Sequence, residues 1–276
     1  MDDFSTVDPF GGVEPFGGEV EQVPLTSSPL VGVIVQVRFP PILRIPEPPF
    51  VAAFQDSIRS SYPVTHAETT AGIVMDPSLG PQPRRTEQVW RFEDLEGNWT
   101  VSLGMGFMSL DVSRYTDRAE LVERFHRVLG SLEADINPRS ITRLGVRYVD
   151  RVELVADLPP LERLVRTEVL GMAGAPVGVR EHMAQTLTDT LFVTDGAKLR
   201  ARWGTVPAGV VLDPFHGAPP RVPSWILDLD MYGDSDRIPL DVGEVTERVG
   251  AYAARIYRFF RWVVSDEFLR WHGGEP

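Results

Sequence analysis

Residues 140–154, Ser-Ile-Thr-Arg-Leu-Gly-Val-Arg-Tyr-Val-Asp-Arg-Val-Glu-Leu, form the longest clean strand pattern in the chain. Side chains along a strand alternate between two faces. Leu144, Val146, Tyr148, Val152 and Leu154 therefore define an inward face, and Arg143, Arg147 and Arg151 an opposite row of guanidinium groups. That row is the best chemical lead in the sequence, although it identifies no reaction.

Working back from this strand, Val31, Val33, Val35, Val37 and Phe39 alternate in a first strand that Pro40 ends. Phe50, Phe54, Ile58 and Tyr62 follow at helical spacing, with Pro48 and Pro49 suited to a first helical turn. Strands are expected around Ala71 to Met75, Glu87 to Phe92, Trp99 to Leu103 and Phe107 to Ser113, with a turn at Glu96-Gly97-Asn98. The residues from Asp117 to Ile136 make the clearest helix. Leu121, Val122, Phe125, Val128, Leu129, Leu132 and Ile136 build its apolar stripe, and Asp117 and Glu120 have capping-box spacing. Glu120 with Arg124 and Glu123 with Arg127 are spaced to pair on its wet face, where His126 reads as a solvated residue.

Working forward, a helix is expected over Leu161 to Leu170, strands around Glu181 to Val193, Ala197 to Thr205 and Trp225 to Met231, and a Pro/Gly loop over Pro207 to Pro223. In a final helix opened by Asp241 and Glu244, Val242, Val245, Val249, Tyr252, Ile256, Phe260 and Val263 share one stripe. The order strand, helix, strands, helix thus occurs twice. Leu110-Asp111 and Tyr115-Thr-Asp117 lead into the first long helix, and Leu229-Asp230 and Tyr232-Gly-Asp234 into the last. The chain reads as a pseudo-duplicated α+β fold: residues 30–276 form one domain of two pseudo-repeats, 30–137 and 138–276, in which a mostly antiparallel sheet carries two long helices on one face.

Ahead of this domain, residues 1–29 read as a flexible tail rich in Pro, Gly and Phe. They contain a tandem hexapeptide, Val7-Asp-Pro-Phe-Gly-Gly12 and Val13-Glu-Pro-Phe-Gly-Gly18. Phe10 and Phe16 are candidate anchors for a partner's groove, or else pack on their own domain.

Composition narrows the function. The 276 residues, 43% hydrophobic, suffice for a full core. The absence of cysteine excludes disulfides, thiolate metal sites and Cys nucleophiles. No apolar run is long enough to cross a membrane, and the acidic Met1-Asp-Asp-Phe start is unlike a basic secretory signal, so the cytoplasm is the expected compartment. A net charge of -12 opposes nucleic acid at long range. The five histidines lack metal-ligand spacing, and there is no GxSxG elbow, Walker loop or Rossmann fingerprint. No catalytic residue, metal or cofactor is predicted. A flexible lid or a structural turn are both open for the Asp213-Pro-Phe-His216 stretch.

Charge in register appears on three strands: Arg143, Arg147 and Arg151; Lys198, Arg200 and Arg202; Asp228 and Asp230. One reading is a set of cross-strand salt bridges that keep an open sheet face soluble. The other is a polar surface whose surplus guanidinium groups bind an acidic protein segment or an anionic small molecule through forked hydrogen bonds. The leading expectation is a non-catalytic binding module that uses this face, and the tail, to hold a protein partner. The alternative is an enzyme or sensor for a small anion, with Asp228 or Asp230 as base.

The strings Val89-Trp-Arg-Phe92, Ser109 to Tyr115, Ile141 to Arg151 and the aromatic last helix resemble a sporadically distributed bacterial family of uncharacterised proteins. That resemblance covers most of the chain after the tail. It implies no catalytic residue, and it suggests an accessory role such as defence or toxin neutralisation. The duplicated topology is also loosely similar to that of the TATA-binding protein, although the acidity here opposes a DNA saddle.

Overall fold

A computed structural model describes residues 10, 12–18, 20–70, 73–76, 80–83, 87–194, 196–210 and 218–276. The chain is α+β with a mostly antiparallel sheet. Its strands are β1 (Leu30–Arg38), β2 (Val64–Thr70), β3 (Ile73–Asp76), β4 (Gly80–Pro83), β5 (Glu87–Glu93), β6 (Trp99–Gly104), β7 (Phe107–Val112), β8 (Ser140–Glu153), β9 (Thr186–Thr194), β10 (Ala197–Val206) and β11 (Ser224–Pro239). Nine of them are hydrogen-bonded in the order β2-β5-β6-β7-β1-β8-β11-β10-β9, and β3 pairs with β4 separately. The helices are α1 (Pro48–Ile58), α2 (Arg118–Ser131), α3 (Leu161–Leu164), α4 (Thr167–Leu170), α5 (Val177–Arg180), α6 (Val242–Val263) and α7 (Asp266–Trp271).

The chain divides into two compact units that interleave in sequence. One comprises residues 1–32, 147–231 and 251–276, the other residues 33–146 and 232–250. This division does not follow the repeat boundary after residue 137, because β8, β11 and α6 each contribute to both units.

In the unit built on residues 33–146, register explains the two faces. Phe92, Val101, Leu110 and Val35 are cross-strand partners on β5, β6, β7 and β1, all fully buried. Phe54 of α1 meets Phe92 edge-on at 5.6 Å between ring centroids, so helices cover this side. The adjacent row, Arg91, Ser102, Ser109 and Gln36, points the other way. Helix α2 begins as its sequence dictates, since the Asp117 carboxylate accepts the Glu120 N–H at 2.9 Å. It ends in a π-helical turn over Leu132–Ile136 with Asn137 in the left-handed region. The Glu120–Arg124 and Glu123–Arg127 pairs form, and His126 is exposed, near Thr246.

In the other unit, β9 and β10 pair from Thr186–Thr205 to Thr194–Ala197. Leu199, Ala201 and Trp203 of β10 and Trp225, Leu227 and Leu229 of β11 are buried, as are Ile256, Phe259, Phe260 and Val263 of α6 and Phe268 and Leu269 of α7. Gly204 permits the close approach of β9: a Cβ there would lie 2.0 Å from the Thr186 carbonyl oxygen.

Several expectations need correction. The helix expected over 161–170 is two short helices, because Val165 is extended and bridges to Val264. The strand expected from Glu181 starts only at Thr186, after α5. The two long helices are α2 and α6, and the shorter α1 and α7 also bury apolar faces. As expected, Asp117 caps α2 and Asp241 caps α6, where it accepts the Glu244 N–H at 2.8 Å; Asp234 lies inside β11. The Asp213-Pro-Phe-His216 stretch lies outside the described residues, as do Ala71 and Gly72.

Candidate functional site

Strand alternation in β8, β10 and β11 brings part of the predicted charge together. The Arg147 guanidinium donates two parallel bonds to Asp228, from Nε to Oδ1 and from Nη2 to Oδ2, both at 2.8 Å. Arg202 of β10 donates from Nη2 to the same Oδ2. Asp228 is 1% exposed, so its charge is balanced by guanidinium and not by water. The row continues outward on β9: Asp189, the cross-strand partner of Arg202, accepts from Nε and Nη2 of Arg200. Those bonds hold the Asp189 carboxyl below the usual carboxylate range.

Other predicted site residues make further contacts. Arg143 lies over the Tyr232 ring, 4.0 Å from its centroid. Arg151 donates from Nη1 to the Ala218 carbonyl at 2.6 Å. The three arginines of β8 thus each meet a different group, Tyr232, Asp228 and the Ala218 carbonyl. Lys198 faces Val193 in the β9–β10 register, and Asp230 is half-buried. Phe10 lies against the Arg166 guanidinium, 4.4 Å from ring centroid to Cζ, and Phe16 packs on Phe192 and Phe259.

Two groups of functional interest escaped the sequence reading. Asp150 is 6% exposed, and burial pushes its carboxyl up to about 7, with the Asp228 charge adding to the effect. Its signal was present: alternation places it with Leu144, Val146 and Val152, a carboxyl at an inward position. The second group is a network across β5, β6 and β7. Arg91 donates from Nε to Glu68 at 2.9 Å and from Nη1 to Ser102, while Ser102 and Ser109 both donate to Asp111 Oδ2, at 3.3 and 3.1 Å. The other Asp111 oxygen is buried without a hydrogen-bond partner, and burial pushes this carboxyl up to about 6. Matching Tyr115 with Tyr232 aligns Asp111 with Asp228, not Asp230. Strands β7 and β11 thus each carry one carboxyl of low exposure to solvent, paired with guanidinium groups at Asp228 and hydrogen-bonded by hydroxyl groups at Asp111.

Among the described residues, no group of three His, Cys, Asp or Glu side chains is arranged to hold a metal ion, and no helix is long and apolar enough to cross a membrane. No protein-family model matches the chain, and neither a curated protein nor a solved structure matches it.

At the outer end of the strand order, β9 presents Leu187, Leu191 and Val193 at 41%, 52% and 76% exposure, on the same side as Asp189. Their cross-strand partners on β10 are Gly204, Arg200 and Lys198. The exposed side of this hairpin is therefore a strip of aliphatic groups flanked by cations, on a chain whose net charge is -12 and whose only lysine is Lys198.

Proposed function

We propose that this chain is a cytoplasmic protein-binding module that takes an extended segment of a partner protein, with aliphatic side chains, along β9. The observation that carries the reading is the exposure of Leu187, Leu191 and Val193 on a terminal strand, around the Asp189–Arg200 pair. A terminal strand offers backbone donors and acceptors to an added strand, and alternate aliphatic side chains supply specificity. Exposed aliphatic groups on a nine-residue edge strand are also an aggregation hazard, which favours a resident partner.

The alternative, a small-anion enzyme or sensor built on Arg143, Arg147, Arg200 and Arg202, has less support. Arg147 and Arg202 are committed to Asp228, Arg200 to Asp189, and Arg143 is stacked on Tyr232. Both Asp228 oxygens accept from guanidinium groups, so neither is open to a substrate proton in this arrangement.

The test is native mass spectrometry of the chain purified from its own cells, beside a Leu191→Asp, Arg200→Glu variant. A stoichiometric protein that accompanies the wild type and is lost from the variant supports the reading. A protein retained by the variant, or a small anion bound in place of a protein, refutes it.

A further inference from the structure

The second hexapeptide of the tail is seated on its own unit in a way that accounts for its residues one by one. Glu14 to Gly17 form a turn in which the Gly17 N–H donates to the Glu14 carbonyl at 3.5 Å, and Pro15 presets the backbone at the second position. The same carbonyl accepts from Arg258 Nη1 at 3.2 Å. The Phe16 ring lies 5.4 Å from Phe192 and 6.0 Å from Phe259, which are 5.3 Å from each other, so the three rings form one cluster. A Cβ on Gly17 would come to 2.9 Å from Arg258 Nη1, so a side chain there would push on the end of the guanidinium. The shelf thus holds Phe by its ring and the preceding residue by its backbone carbonyl, in a turn that Pro15 presets.

This contact is built to be exchanged. Phe16 remains 51% exposed in its seat while Phe259 beneath it is 1% exposed. The rest of the tail is anchored separately. The Val23 N–H donates to the Tyr257 hydroxyl at 2.7 Å, the Ser27 N–H to the His272 carbonyl at 3.1 Å, and Gly273 and Gly274 lie close against Thr26 and Leu25. Residues 13–18 can therefore leave the shelf without stripping the segment that follows. The Pro-Phe-Gly string also occurs twice, at 9–11 and 15–17, so the chain carries more copies of the motif than the one seated on the shelf.

We propose that Arg258, Phe192 and Phe259 form a receptor shelf for Pro-Phe-Gly turns, that residues 13–18 fill it as an internal plug, and that a partner protein presenting the same turn displaces them. This is independent of the β9 strip, because Phe192 points to the opposite side of β9 from Leu191 and Val193. A plug tethered this closely competes at an effective concentration on the order of millimolar. Intact chain thus responds only to a partner that outcompetes the tether.

The experiment is a fluorescence-polarisation titration of labelled Val-Glu-Pro-Phe-Gly-Gly peptide into the full chain, wild type and Phe16→Ala. The peptide is expected to bind Phe16→Ala at least about tenfold more tightly than wild type, the ratio that an effective concentration of about 1 mM gives when the Pro-Phe-Gly turn itself binds at about 0.1 mM or tighter. A peptide with Ala in place of Phe, and an Asp-Pro-Phe-His peptide matching residues 213–216, are expected to lose that binding. Near-UV circular dichroism checks the fold of Phe16→Ala; should it fail, Gly17→Ala loosens the same seat with the aromatic ring retained. Equal affinity for wild type and variants, no saturable binding up to about millimolar peptide, or equal binding of the Ala peptide would each overturn the proposal. Self-association of Phe16→Ala through its remaining Pro-Phe-Gly string would assign the shelf to a second copy of this chain, and overturn the partner it names.

Discussion

Burial first, and the charge of Asp228 on the neighbouring strand β11 second, raise the proton affinity of Asp150 on β8. Asp228 has two guanidinium partners, Arg147 and Arg202, whereas no cation of the described residues is among the groups that act on the Asp150 carboxyl. The consequence is a pH-dependent stability of definite sign. With its carboxyl raised from 3.8 to about 7, Asp150 keeps in the folded state a proton that the unfolded chain releases. Its favourable contribution is complete below about pH 4 and is lost as pH rises to about 7, a change on the order of 4 kcal/mol. Asp150→Asn keeps the shape and removes the titration. Urea unfolding at about pH 4.5 and pH 8 is expected to show the variant gaining on wild type as pH rises; parallel behaviour at the two pH values would refute the assignment.

Asp111 has the same sign over a narrower window, since its carboxyl is raised from 3.8 to about 6. Asp111→Asn is expected to flatten the fall in stability between about pH 4 and 6, and to leave the segment above about pH 6.5 unchanged. The two windows separate the two carboxyls in a single pH series.

Removing the Asp228 charge takes a buried anion away from Arg147 and Arg202, whose side chains are 13% and 21% exposed. Asp228→Asn is expected to cost about 3–5 kcal/mol in denaturant unfolding. Asp189→Asn, which breaks a pair with Arg200 that is 41% and 50% exposed, is expected to cost no more than about 1 kcal/mol. Similar costs for the two would show that the inner pair is as well solvated as the outer one.

Gly204→Ala tests the approach of β9 to β10. Its methyl group would sit 2.0 Å from the Thr186 carbonyl oxygen, a backbone atom that moves only with its strand. A loss of about 1–3 kcal/mol is expected, with faster amide exchange concentrated in residues 186–194. A neutral substitution would mean that the end of β9 is already separated in solution.

Capping predicts smaller, additive effects. Asp117→Ala and Asp241→Ala each remove a carboxylate that accepts an N–H in the first turn of a helix. Each is expected to cost about 1 kcal/mol in thermal or denaturant unfolding, and the double variant about the sum.

Where a segment's own pattern decided its structure, the sequence reading matched the fold. Helix α2, with its cap at Asp117 and its stripe through Leu121, Phe125 and Val128, needed no tertiary information. Nor did β8, whose alternation is visible over most of its length. What could not be read was decided by neighbours. Val64–Thr70 is a strand because it pairs with β5 residue by residue, although its Thr-rich sequence has little apolar alternation. Phe259, at i+3 from Ile256, belongs to the same stripe by spacing, but that Phe16 and Phe192 would pack on it could not be read from the helix alone. In the candidate site, the residue types and their faces were legible, but the partners were not. Alternation alone cannot say that Arg147 takes Asp228 while Arg143 takes Tyr232. Asp150 was the one readable signal passed over, a carboxyl in a row of inward aliphatic residues.

The sharing of β8, β11 and α6 between the two compact units bears on how the protein is made. Neither unit is complete until residues 232–250, and for the other unit residues 251–276, have been synthesised. As the chain leaves the ribosome, α1 and α2 follow β1 closely, but the part of that unit supplied by residues 232–250 arrives only after tens of seconds at ordinary elongation rates. A cut at any single point in the middle of the chain would therefore take residues away from one unit or the other.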